Sequence, residues 1–170
     1  MDPSRRTLCL SELAHLHYPL VYRYAFRLCG TAEEAEDLTQ QAFLAAHRRL
    51  DQLRDGESAK AWLCAILRNT FLTQISSRKR PRTIPLQAVP EPAEELAHDA
   101  VIESDDLQQV LNELPEEFRS TLVLFYFDEF TYREIAEQLD VPIGTVMSRL
   151  ARAKAYLRRR LESMHSAATR

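Results

Sequence analysis

From Ile143 to Arg160 the chain carries Arg149, Arg152, Lys154, Arg158, Arg159 and Arg160 and no acidic residue, with Thr145 and Ser148 interleaved. A guanidinium can bond a guanine edge in pairs, while Thr, Ser and Lys take phosphates or base edges. The chemistry offered is nucleic-acid recognition. A second stretch joins Trp62 and Asn69 to the basic run Arg78, Lys79 and Arg80. An aromatic ring and an amide ahead of clustered cations suit base stacking and phosphate neutralisation. Taken alone, Trp62 reads as a core residue and the basic run as a helix end.

Groups suited to bond-making chemistry are sparse. His15 and His17 are one residue apart, which on a helix points them to different faces, and Cys9, Cys29 and Cys64 are widely spaced. No CxxC, HExxH, Walker or GxSxG pattern occurs. The reading is of a non-enzyme that needs no metal or cofactor. Its three cysteines, odd in number, suit reduced thiols in a cytosol.

The basic stretch sits in the second of two helical patterns. Thr131 and Glu134 read as a capping box that opens the first, with Ile135, Ala136 and Leu139 as its apolar face. Asp140-Val141-Pro142 ends that run, because Pro142 disfavours a helical Val141 but suits the first turn of a new helix. Val146, Leu150, Ala153 and Leu157 then form one buried stripe, leaving Thr145, Ser148, Arg149, Arg152 and Lys154 largely off it. Two short helices with a tight turn, the second basic, predict a helix-turn-helix.

Only 3 of 170 residues are glycine, and Ala, Leu, Glu, Arg and Gln dominate, so the expected fold is all-α. Ser11 is expected to cap a first helix over Glu12–Cys29, with Leu13, Leu16, Leu20, Tyr24 and Leu28 inward and a kink or late start at Pro19. Gly30 stops it, and Thr31 with Glu34 opens a second over Ala32–Leu50. That helix should bury Ala35, Leu38, Ala42 and Ala45, with Phe43 or Ala46 at its edges and Asp37, Gln40 and Gln41 outward. Ser58 caps a third, Ala59–Ser77, with Trp62, Ala65, Ile66, Asn69 and Leu72 or Thr73 on one side.

From Thr83 to Glu103 periodicity collapses around Pro85, Pro90 and Pro92, and every charged side chain between Pro85 and Glu117 is acidic. This predicts a flexible acidic linker over 81–104, dividing two small helical domains at 10–80 and 105–163. Two helices, about Asp105–Leu114 and one opened by Pro115, precede the helix-turn-helix and supply its core through Leu111, Phe118, Leu122, Phe125 and Tyr126. The net charge of −3 is therefore unevenly spread, with cations gathered where nucleic acid would lie. No apolar run is long enough to span a bilayer and no signal-peptide core opens the chain, so a cytoplasmic protein is expected.

In this order the blocks resemble the sigma factors of bacterial RNA polymerase, of the small two-domain extracytoplasmic-function (ECF) group of the sigma-70 family. AEDLTQQAFLAAHRRL is similar to the family's core-polymerase-binding helix and AWLCAILRNTFLTQISSRKR to its −10 promoter helix. The segment from Leu114 to Leu161 looks like its −35-reading domain. The resemblance implies that Asp37, Leu38, Gln40, Gln41 and Phe43 grip the clamp helices of the largest polymerase subunit, with Gln41 where the family more often has Glu. It implies that Trp62 and Asn69 hold the −10 element, Asn69 at a flipped base, and that Arg78, Lys79 and Arg80 hold its phosphates. Thr145, Ser148, Arg149, Arg152 and Lys154 would face the −35 element, with Met147 where many relatives carry Arg or Lys. It also implies partners: the polymerase core, its flap included, promoter DNA and an anti-sigma protein. A stand-alone helix-turn-helix regulator, dimeric on a palindromic site, is the alternative. It leaves the Asp37–Phe43 block without a purpose.

Overall fold

In the computed structural model the described residues are 9–53, 58–77 and 104–168. They form seven α-helices and one 3-10 turn, with no strand among them. They fall into two compact units, the first carrying α1 (Leu10–Cys29), α2 (Ala32–His47) and α3 (Ala59–Ser77). The second carries α4 (Ser104–Glu113), α5 (Glu116–Tyr126), α6 (Tyr132–Leu139) and α7 (Ile143–Ala168). The acidic linker up to Glu103 and Arg78, Lys79 and Arg80 lie outside the described residues.

In the first unit α1 packs against both α2 and α3, which also pack on each other. The N-cap of α1 is Cys9 rather than Ser11: the Glu12 carboxylate reaches back to accept from the Cys9 N–H at 3.1 Å, which places Ser11 inside the helix. The helix runs unbroken through Pro19. Pro19 and His15, four residues earlier, are both exposed, so water can take the carbonyl that proline leaves unbonded. Its buried side is Leu13, Val21, Tyr24, Ala25 and Leu28, while Leu16, expected inward, is 68% exposed. Gly30, at φ 90°, donates to the Phe26 carbonyl at 2.8 Å and turns the chain into α2. Thr31 accepts from the Glu34 N–H at 3.4 Å and caps that helix. Instead of reaching Leu50, α2 ends at His47, where the chain tightens into a 3-10 turn at Leu50–Gln52.

In α3 the buried positions are Ala59, Leu63, Cys64, Ile66, Leu67 and Phe71. Trp62 is therefore not core; it is half-buried at the edge of that face, and Asn69 is exposed.

In the second unit α7 is the spine against which α4, α5 and α6 all pack. Val110, Leu111 and Leu114 from α4 and its end, Phe118 and Leu122 to Leu124 from α5, and Ile135 from α6 form the core with the α7 stripe. Arg119, itself buried, donates to the carbonyls of Asn112 and Leu114 at 3.1 and 2.9 Å, satisfying the end of α4.

A polar clasp adds to this apolar packing. Arg160 meets Glu113 through two hydrogen bonds of 2.9 and 2.8 Å, and the Tyr156 hydroxyl donates to the same carboxylate at 2.5 Å. Burial alone would raise the Glu113 carboxyl, but the hydrogen bonds from Arg160 and Tyr156 and the Arg160 charge outweigh it and hold it below its ordinary value. Burial and the Glu113 neighbour push the Tyr156 phenol up to about 12. A carboxyl depressed by folding contributes stability above its unfolded range and loses it as pH falls through the folded value. A phenol raised by folding contributes below its unfolded value and loses it only on strongly alkaline titration. The clasp is thus complete at neutral pH and is lost on the acid side. Glu113→Ala is expected to cost about 1.5–3 kcal/mol at pH 7 and Tyr156→Phe about 1 kcal/mol. In chemical denaturation of the full chain, the Glu113→Ala deficit should shrink as pH falls below the carboxylate range.

Candidate nucleic-acid interface

The α6–turn–α7 pair is fixed by local hydrogen bonds before any packing is considered. The Thr131 N–H donates to the Glu134 carboxylate at 2.7 Å, and the Glu134 N–H donates back to the Thr131 hydroxyl at 3.3 Å. Asp140 closes α6 in the left-handed region at φ 51°, a conformation that Asp tolerates better than most residues. The Val141 N–H donates to the Ala136 carbonyl at 3.0 Å, and the Pro142 carbonyl accepts from Thr145 and Val146 at 2.9 and 3.2 Å, starting α7.

Val146, Leu150, Ala153, Leu157 and Leu161 anchor α7 to the unit's core. That anchorage sets what faces away. Thr145, Ser148, Arg149 and Arg152 recur at helical spacing on one side of the stripe, and Lys154 falls on the other. Ser148 donates to the Thr145 carbonyl at 3.1 Å and keeps its acceptor lone pairs outward. The Arg152 guanidinium lies 5.3 Å over the Phe118 ring and the Lys154 ammonium 5.7 Å over the Tyr126 ring. Such contacts steer the stems without removing the charge. Arg160, one of the six cations of this stretch in the sequence, is held by Glu113. Met147 is 52% exposed and Ile143 44% exposed, so apolar groups share this surface with the cations.

On the first unit, Trp62 and Asn69 stand seven residues, two turns, apart along α3 and share a side of it. Thr73 donates to the Asn69 backbone carbonyl at 2.9 Å, and Asn69 itself is exposed.

Of the α2 residues singled out in the sequence, Asp37 and Gln40 are exposed. Gln41 is half-buried, donating to Asp37 at 2.9 Å and accepting from Gln74 of α3 at 2.8 Å. Leu38 is 0% exposed, and Phe43 is buried with its ring stacked on Tyr18 at 6.1 Å between centroids. These two support the surface from beneath rather than forming it. Sequence reasoning missed Leu44, which is 58% exposed one turn beyond Gln40 and Gln41. Its signal was present: an apolar residue in line with the polar positions 37, 40 and 41.

Neither His15, which is exposed, nor half-buried His17 builds a site. Burial and the Lys60 charge lower the His17 imidazole, and among the described residues no cluster of three or more His, Cys, Asp or Glu could hold a metal. No helix of the described residues is long and apolar enough to cross a membrane.

Comparison with known proteins places these pieces. A family model described as Sigma-70 region 2 matches residues 13–81, and one described as Sigma-70, region 4 matches residues 104–157. The ECF RNA polymerase sigma factor SigM of Mycobacterium tuberculosis is 33% identical over 88% of this chain and 76% of its own length. The chain belongs to the ECF sigma factors of the sigma-70 family. The SigE sigma factor of Mycolicibacterium smegmatis is 38% identical over 93% of the chain, which spans 63% of that relative's length. Among solved structures, the sigma factor RpoE from Bartonella quintana, in complex with the anti-sigma factor NepR, is 28% identical. It aligns over 89% of this sigma factor and 96% of its own chain, with a TM-score of 0.72. Region 2 thus spans α1 to α3 and the surfaces of Asp37 and Asn69, and region 4 spans most of α4 to α7.

Proposed function

We propose that this sigma factor binds the RNA polymerase core and directs it to promoters, opening DNA at the start site. The observation that carries the reading is the succession of region 2 and region 4 on one chain, the second ending in a helix-turn-helix whose first helix is capped and whose second bears only cations from Ile143 to Arg160. Residues 10–80 are assigned to core and −10 binding and residues 105–163 to the −35 element, with 81–104 as an acidic strap between them.

In this reading Asp37, Gln40, Gln41 and Leu44 touch the clamp of the polymerase's largest subunit, backed by Leu38 and Phe43. Trp62 stacks on a −10 base and Asn69 hydrogen-bonds one flipped from the non-template strand. Arg78, Lys79 and Arg80 neutralise the adjoining phosphates. Thr145, Ser148, Arg149, Arg152 and Lys154 face the −35 element. Unpairing costs a few kcal/mol per base, offset by capture of the flipped bases and by polymerase contacts, so no nucleotide hydrolysis is required. Two weak readers tethered on one polymerase bind as a strong one. The subunit acts by binding, not catalysis, and works in the cytoplasm with the polymerase. The anti-sigma partner of the Bartonella relative supports control of this subunit by a protein of that kind.

Run-off transcription with core polymerase on a promoter library tests the proposal. Start-site-specific transcripts that require this subunit are expected. Core polymerase that gains no promoter-dependent initiation on any template would overturn it.

A further inference from the structure

The exposed apolar pair on the recognition helix is what the assigned function leaves unused. Ile143 and Met147 stand one turn apart on one side of α7, 44% and 52% exposed, in its first two turns. In helix-turn-helix docking these turns meet base edges. Ile143, seven residues before Leu150, extends the edge of the core stripe beside Val141 and Pro142, but Met147 stands off that stripe, and both leave apolar surface in water at a site dense with cations. Surrounding charge settles what covers them. Ser148 follows Met147 directly, Lys154 and Arg158 share its side of the helix, and Arg149 and Arg152 flank the other side, with no acid between Ile143 and Arg160. A cationic rim around an apolar centre matches the major groove of DNA, where phosphates border the base edges. There, one group is apolar: the thymine 5-methyl.

We infer that Met147, supported by Ile143, is a specificity-determining residue that reads a thymine methyl in the −35 element. The inference rests on the promoter-binding function proposed above. Met147 offers a flexible, polarisable thioether and no donor, so the contact selects by shape and apolar match and gives no hydrogen bond to a guanine. Gly144, one turn before Ser148, has nothing within 4 Å of where a Cβ would stand, so no side chain there keeps the helix from the groove floor.

The test uses holoenzyme built from the full chain and core polymerase, on a promoter recovered from the run-off library. Each −35 thymine is replaced in turn by deoxyuridine, which removes only the methyl group. At one position the wild-type holoenzyme should lose about fourfold in affinity, the worth of one buried methyl-sized group. Met147→Ala should abolish that difference and Met147→Leu should keep it. Because Met147 is exposed, both variants should melt with the wild type. Indifference of the wild-type holoenzyme to every methyl removal would overturn the inference while leaving promoter recognition standing. So would equal sensitivity in Met147→Ala, or a −35 element without thymine. Absence of any promoter-dependent transcription would remove both.

Discussion

Leu38→Ala is expected to lower the stability of the N-terminal unit by about 2–5 kcal/mol, the usual cost of emptying a fully buried leucine site. Leu44→Ala, six residues along the same helix, should change stability by no more than about 0.5 kcal/mol. The contrast follows from position: Leu38 lies in the core of α1, α2 and α3, and Leu44 lies in solvent. Trp62 is the chain's only tryptophan and belongs to that unit, so its fluorescence during urea unfolding of the full chain follows this unit alone. Retention of core polymerase completes the comparison. Leu44→Ala should weaken it with the unfolding midpoint unmoved, while Leu38→Ala should weaken it only through the unfolded fraction. A Leu38→Ala chain as stable as the wild type but blind to polymerase would show that Leu38 touches the partner itself.

The second large effect belongs to strand opening. Trp62→Ala is expected to cost about 1–3 kcal/mol of open-complex stability, the range for a base stacked on an aromatic ring, which is a loss of roughly 5- to 150-fold. Asn69→Ala should give about a tenfold loss and, being exposed, should leave folding untouched. A template with a premelted −10 region separates opening from capture. If these side chains hold bases already flipped, the defect persists on premelted DNA. If they drive only the first unpairing, it vanishes there. Permanganate reactivity of −10 thymines measures both, and wild-type opening by the double variant would remove α3 from the mechanism.

The parts legible in the sequence are those whose causes are local. The Thr131–Glu134 cap, the break at Pro142 and the stripe from Val146 to Leu157 each depend on residues within a few turns, and each stands in the structure as expected. The face of α3 was not legible, because apolar residues lie on nearly every side of it. Trp62, Ala65 and Leu72 compete with Leu63, Leu67 and Phe71, and periodicity cannot say which set α1 and α2 will cover. Leu16 fails for a related reason: it fits the spacing of Leu13 and Leu20, but the partner helices meet α1 through Val21, Tyr24 and Leu28. The union of Arg160 with Glu113 joins residues 47 apart, and nothing near either one announces it.

That union also bears on the ionic atmosphere of any complex with DNA. Each phosphate neutralised by a protein cation frees condensed counterions, and the logarithm of the binding constant falls by about 0.9 per phosphate for each logarithm of added salt. A count of side chains from Ile143 to Arg160 would assign six such sites, yet the guanidinium of Arg160 already has its anion within the protein. At most five remain to displace ions, so this helix adds a shallower salt dependence than its composition suggests and loses less of its affinity for DNA as salt rises.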